Sequence, residues 1–183
     1  MSLILGLDVS TSCTGWSVLN SEGSLIDIGY IRLDKLRDLF SKAQEVSNVI
    51  SELYVKHDIH SIFIEENLQS FRTGFSSAKT LSTLARFNGI VSYVAYQATD
   101  IKPQMLNVNA ARRSVGLKID RKSDDSTKEQ VLSWVSEEIS NTDHQWPVKI
   151  LKSGPRKGQT ILNPACYDMA DAFVIARAGI LMS

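Results

Sequence analysis

Four acidic residues stand where acids are out of place. Asp8 interrupts the apolar run LILGLDV, Glu65 ends the apolar run IFIE, and Asp168 and Asp171 lie in the Ala-rich stretch CYDMADAFVIARAG. The i, i+3 spacing of Asp168 and Asp171 puts both carboxylates on one helical face. Carboxylates are almost never fully buried unless paired, so four of them on core-facing segments need a partner. Two kinds are open. Basic side chains would give a structural ion-pair network, but the flanking segments supply little base: only Arg177 in the last stretch and none in residues 1–31. The other partner is a divalent cation. Two carboxylates about 4 Å apart repel by roughly 4 kcal/mol at an effective dielectric of 20, and a hard cation turns that repulsion into binding. Oxygen ligands with no His or Cys nearby favour Mg²⁺ or Mn²⁺ over zinc. Two such ions about 3.5–4 Å apart are the usual device for in-line attack on a phosphodiester.

These acids must be positioned by the elements around them. Leu3–Val9, Gly15–Leu19 and Leu25–Leu33 read as three strands joined by short turns, which implies antiparallel pairing. Helix-spaced apolar residues over Lys35–Lys56 predict a first helix, and Ser61–Glu65 a fourth strand. Ser76–Tyr96 reads as a second helix, Ala98–Lys102 as a short extended stretch, and Asn109 as the cap of a brief helix. Ser126-Thr127-Lys128-Glu129 matches a capping box before a further helix. Residues 148–162 read as a basic hairpin turning at Gly154-Pro155, and Asn163-Pro164 starts a last helix that runs to about Leu181. The order predicts one α/β domain over residues 1–183: a mixed five-stranded sheet, three strands antiparallel and the rest parallel, flanked by helices.

With 20 basic and 20 acidic residues the net charge is zero, but its distribution is uneven. Residues 102–160 hold eleven basic and seven acidic residues and form the one net basic section, a pointer towards phosphate. Cys13 and Cys166 lack C-x-x-C spacing, which argues against a disulfide framework or zinc knuckle and suits a reducing, cytoplasmic compartment. The start MSLILGLDVS has no basic region and carries Asp8 in its apolar run, unlike a signal peptide, and no stretch approaches a membrane span.

At the acidic residues the sequence resembles the RuvC-like Holliday junction resolvases of the RNase H-like superfamily. ILGLDVSTSCTGWSVL resembles their opening strand-turn-strand, FIEE their fourth-strand acidic motif, and DMADAFVIARAG their C-terminal helix motif, in the same order and over nearly the whole chain. The pattern is nearer to viral or other divergent members than to the bacterial enzymes. AARRSVGLKI carries Arg112 or Arg113 where the family has a Lys, Lys128 suits the family's second Lys, and residues 148–162 look like an extra hairpin. The resemblance implies an endonuclease that nicks four-way or branched DNA to leave 5′-phosphate and 3′-hydroxyl ends. It implies Asp8, Glu65, Asp168 and Asp171 as ligands of two Mg²⁺ or Mn²⁺ ions, Lys128 beside the phosphate, and a homodimer that cuts opposing strands.

Other readings are weighed against this one. Glu66 could replace Glu65, although neighbouring strand residues face opposite sides. Asp8-Val9-Ser10-Thr11 also resembles the phosphate loop of sugar and acetate kinases, but those enzymes are much longer and carry a second copy of the fold. A ribonuclease H acting on RNA–DNA hybrids and an inactive junction-binding protein remain as alternatives. Phe71 and Phe75, in the loop after Glu65, are candidates to stack on bases at a branch point. Arg112, Arg113, Lys118, Lys152, Arg156 and Lys157 are the candidate phosphate contacts, and the helix around Thr80–Tyr96 is the candidate dimer face. His57, His60 and His144 are expected at the surface, Cys13 in a turn and Cys166 in the core.

Overall fold

The computed structural model describes residues 2–66 and 78–182. Its central sheet is built from β1 (Leu3–Val9), β2 (Cys13–Asn20), β3 (Leu25–Arg32), β4 (Ile59–Glu65) and β5 (Gln104–Leu106), in the order β3-β2-β1-β4-β5. The first three strands are antiparallel, and β4 and β5 run parallel to β1. This is the mixed five-stranded architecture expected from the sequence. Helices α1 (Leu39–His57) and α2 (Ala78–Thr99) cover one face. Helices α3 (Val108–Ser114), α4 (Thr127–Glu138) and α5 (Ala165–Met182) cover the other. Strands β6 (Val148–Ile150) and β7 (Thr160–Leu162) form the separate hairpin.

The period of two along each strand decides which residues reach which layer. On β1, Leu5, Leu7 and Val9 pack towards α1 and α2, while Ile4 packs towards α5. Asp8 shares the parity of Ile4 and so belongs to the α5 side. On β4, Ile62 and Ile64 face α1 and α2 and Phe63 faces α5, which assigns Glu65 to the α5 side and Glu66 to the other.

Helix α5 is buried over most of its surface, with Met169, Ala170, Phe173, Val174 and Ile175 all buried, as expected of a central helix. Two strand glycines let it lie directly on the sheet. A Cβ on Gly15 would stand 2.0 Å from the carbonyl oxygen of Asp168, and one on Gly6 would stand 2.3 Å from that of Ala172. The Ser17 hydroxyl donates to the same Ala172 carbonyl at 3.0 Å.

Several boundaries differ from the expectation. Helix α1 starts at Leu39, because Asp38 caps it by accepting from the amides of Phe40 and Ser41. Helix α2 continues to Thr99, whose hydroxyl donates to Ala95 O at 2.7 Å, and Asp100 ends it in a left-handed conformation (φ 57°). The fifth strand therefore falls at 104–106 rather than 98–102. Asn107, not Asn109, caps α3. The capping box at Ser126 and Glu129 forms as expected. His57 lies inside rather than at the surface, its side chain 10% exposed and Nε2 2.8 Å from Asp27, which Lys56 also bonds. His144 packs edge-on against Trp146 and is half-buried, while His60 is exposed. Phe71 and Phe75 lie outside the described residues.

Candidate active site

Asp8, Glu65, Asp168 and Asp171 are gathered on the α5 side of the sheet. In the β1–β2 ladder Asp8 stands opposite Gly15, the residue on which the backbone of Asp168 rests. In the β1–β4 ladder Gly6 pairs with Phe63 and Leu7 with Ile64, so continuing the register sets Asp8 beside Glu65. Asp171 follows Asp168 by one helical turn and is buried, 6% exposed. The end of β4 is fixed by the buried Asn88 of α2, whose amide donates to Glu65 O at 2.9 Å, and by Glu66 N, which bonds Leu106 O at 2.8 Å.

The charges of these acids act on one another. Burial pushes the Asp8 carboxyl well above the usual carboxylate range, and the charges of Glu65, Asp171 and Asp168 push it further. No hydrogen bond reaches the Asp8 carboxylate from any described residue. Burial, then the charge of Asp171, raises Glu65 to about 7. Asp171 is also raised by burial, which outweighs the opposing pull of Arg112. Cys13 opens β2 beside these acids rather than lying in a turn, and burial followed by the Asp168 charge pushes its thiol upward.

Two cations reach the cluster from elements distant in sequence. Arg112 Nη2 donates to Asp171 Oδ1 at 3.0 Å, and Lys128 Nζ lies 3.6 Å from Asp168 Oδ1 and 5.9 Å from the Tyr167 ring centroid. Arg177, the base nearest in sequence, turns away to Gly23 O and Glu138. Part of the neutralisation therefore comes from α3 and α4; the resemblance pointed to Lys128 and to Arg112 or Arg113, but not to their pairing with Asp168 and Asp171. The role of Asn88 and the closeness of Cys13 to the acids were equally hidden; no local motif marks either.

Four carboxylates against two cations leave a formal charge of −2 with every group ionised, an excess that divalent cations would offset. The donors are all hard oxygens, and Asp8 carries no competing hydrogen bond among the described residues. That donor set fits Mg²⁺ or Mn²⁺. Among the described residues, no three acidic, His or Cys side chains converge as a ready-made metal cage. Asp171 is paired with Arg112 and Asp168 lies beside Lys128, so a bound ion would compete with both cations for these carboxylates.

Of the candidate phosphate contacts, Arg113, Lys118, Lys152, Arg156 and Lys157 are exposed, whereas Arg112 turns inward to Asp171. No helix among the described residues is long and apolar enough to cross a membrane.

The raised carboxyls have a consequence for stability. An acid whose folded value lies above its unfolded one adds most to stability below the unfolded value, and that contribution is lost as pH rises through the folded value. For Glu65 the window runs from its ordinary 4.5 to about 7, and Asp8 acts in the same direction. The melting temperature of the metal-free protein should therefore fall from pH 5 to pH 8, at about 2–4 °C per kcal/mol for a chain of this size. Added Mg²⁺ should remove most of that fall. A melting temperature flat across this window, measured by circular dichroism in chelator, would contradict the electrostatics described here.

No protein-family model matches the chain. It is 36% identical over 78 residues to a crossover junction endodeoxyribonuclease RuvC of Erythrobacter litoralis, a match covering 38% of this chain and 48% of that relative. The chain thus spans about half the length of that relative. A second such protein, from Orientia tsutsugamushi, is 27% identical over 120 residues, covering 61% of this chain and 74% of its own. Among solved structures, T. thermophilus RuvC in complex with Holliday junction substrate superimposes with a TM-score of 0.63 at 14% identity, covering 97% of this chain and 92% of that one. The chain is thus similar in sequence to these RuvC proteins over part of its length, and its fold is similar to that of T. thermophilus RuvC.

Proposed function

We propose that the protein is a metal-dependent endonuclease that nicks four-way or other branched DNA by phosphodiester hydrolysis. The observation that carries this reading is the joining of Asp8, Glu65, Asp168 and Asp171, from β1, β4 and α5, into one under-neutralised acid cluster on a RuvC-like fold. These four side chains would hold Mg²⁺ or Mn²⁺, two ions in each site. Bound there, the metal would supply an activated water and stabilise the leaving 3′ oxygen. Lys128, 59% exposed and 3.6 Å from Asp168, would neutralise charge developing on the phosphate. The test is nicking of labelled four-way junctions, flaps, duplexes and RNA–DNA hybrids with and without Mg²⁺. Metal-dependent cuts on opposing junction strands support the proposal. Cutting of hybrids alone would replace it with a ribonuclease H, and tight junction binding without cutting would replace it with a junction-binding protein.

A junction has near two-fold symmetry, so a C2 homodimer would present two sites to opposing strands. The outer face of α1 and α2 offers a groove of about 680 Å³ lined by Phe40, Ile90, Tyr93 and Val94, with Phe40 and Tyr93 exposed. We assign the dimer contact to this face.

The β6–β7 hairpin is the proposed grip on a duplex arm. It carries Lys149, Lys152, Arg156 and Lys157 and no acid between 148 and 162. Asn163 N bonds Pro147 O at 2.8 Å, which roots the hairpin at the start of the acid-bearing helix α5. Every phosphate that a basic side chain ceases to neutralise should flatten the slope of log K against log salt by about 0.9. Charge reversal of Arg156 and Lys157 together should therefore flatten it by about 1.8 in filter binding across a salt series. An unchanged slope would remove the hairpin from the DNA surface.

A further inference from the structure

Arg112 and Lys128 neutralise the acid cluster in different ways. The Lys128 side chain is 59% exposed and its ammonium stands 3.6 Å from Asp168, in water. The Arg112 side chain is only 17% exposed, and its Nη2 is in direct contact with Asp171, itself 8% exposed. A guanidinium does not lose its proton in a protein, so this positive charge is permanent. It occupies Asp171 Oδ1, one of the two oxygens this carboxylate could offer a divalent ion.

The pairing is also incomplete. An arginine matched to a carboxylate engages through two parallel N–H groups. Arg112 instead bonds Asp171 through Nη2 alone, and its buried Nε has no hydrogen-bond partner. A side chain locked permanently in place would be expected to satisfy that donor, since an unmatched buried N–H is costly. The arrangement is that of a counter-ion held by charge rather than by fit. Arg112 also lies in the last turn of α3, next to exposed Arg113 and a few residues before exposed Lys118. Released from Asp171, its guanidinium would add to the basic character of the segment that carries these two exposed residues.

We propose that Arg112 is an exchangeable internal counter-ion, pairing with Asp171 in the metal-free protein and leaving it for the phosphate-facing surface when a divalent cation takes the carboxylate. This rests on the metal-dependent reading above. Its consequence is reciprocal coupling: phosphate that draws Arg112 outward tightens metal binding, and metal that displaces Arg112 tightens phosphate binding by the same factor.

The test begins with the wild-type protein. The Nε–H resonance of Arg112, assigned by comparison with Arg112→Gln, should be protected from exchange in chelator and should shift or broaden on saturation with Mg²⁺. By calorimetry Arg112→Gln should bind Mn²⁺ about tenfold more tightly than wild type, within the usual range for coupled sites. Its metal-free form should melt lower. An Nε–H resonance unmoved at Mg²⁺ saturation overturns the proposal, as does Mn²⁺ affinity that is unchanged or weaker in Arg112→Gln. If that variant does not fold, the wild-type resonance decides alone, assigned through Arg112→Lys. Metal-dependent nicking with a static Arg112 leaves the endonuclease reading standing and removes only this inference. Absence of Mn²⁺ binding by the wild-type protein removes both.

Discussion

Asp8→Asn is expected to lower junction cleavage by at least about a hundredfold, the scale seen when one preorganised electrostatic group is removed from a reacting centre. The same change should raise the melting temperature of the metal-free protein. Both effects have one cause. Asp8 lies where burial and three neighbouring carboxylates oppose its charge, and no described side chain donates to it. Its charge is costly to the fold and has value only once a cation is bound. An amide of the same shape removes the cost and the ligand together. Asp171→Asn should lose activity to the same degree, but with a smaller gain in stability, because it deprives Arg112 of its charged acceptor. Binding to an uncut junction should persist or tighten in both variants, since a negative charge facing phosphate is gone. Near wild-type cleavage by either variant would dismantle the assigned site.

Gly15→Ala should damage the fold and the chemistry at once. The added Cβ would meet the carbonyl oxygen of Asp168 at 2.0 Å, its carbonyl carbon at 2.2 Å and Met169 N at 2.7 Å. These are backbone atoms of a buried helix, so no rotamer change can make room, and α5 must move off the sheet. Overpacking a tight core costs about 1–3 kcal/mol and sometimes more, and this case belongs at or above the upper end. Asp168 shifts with the helix, and a misplacement of about 1 Å can cost a hundredfold in rate. Gly6→Ala should behave similarly, with contacts of 2.3 Å to Ala172 O and 2.6 Å to Ala176 N. Gly89→Ala is the matched control. It meets nothing within 4 Å and should stabilise α2 by about 0.5–1 kcal/mol. A Gly15→Ala protein with wild-type melting and cleavage would show that the sheet and α5 do not touch as described.

The features readable in the sequence were those with local signatures. Asp8 inside an apolar strand, Glu65 at a strand end and the i, i+3 acids in an Ala-rich helix each announce themselves within a few residues. So do the capping box at Ser126 and the Asn163-Pro164 helix start. Strand parity extends that reading, since it says that only one of Glu65 and Glu66 can face the site; the packing of Phe63 against α5 then selects Glu65. Which acids the cations pair with was hidden for the opposite reason. Arg112 reaches Asp171 across 59 residues of sequence, and no spacing rule links α3 to α5. His57 turned inward because its partner Asp27 lies 30 residues away on β3. The three residues of β5 are too few to show a period, and the amphipathic pattern of α2 runs on past the expected end because Thr99 keeps to its buried face.

The burial of α5 bears on how the molecule breathes. Hydrogen-exchange protection follows buried, well-packed elements, and openings start where few apolar contacts cross. Asp171 lies in the buried middle of this helix, so its amide should exchange only in the rare openings that unfold the whole domain, while Asp168, in the first turn, should exchange sooner. The β6–β7 hairpin sits at the other extreme, with Val148, Ile150 and Leu162 exposed and only two strands to its sheet. Asp171 is thereby insulated from local fluctuation, while the basic hairpin rooted just before α5 can open on its own.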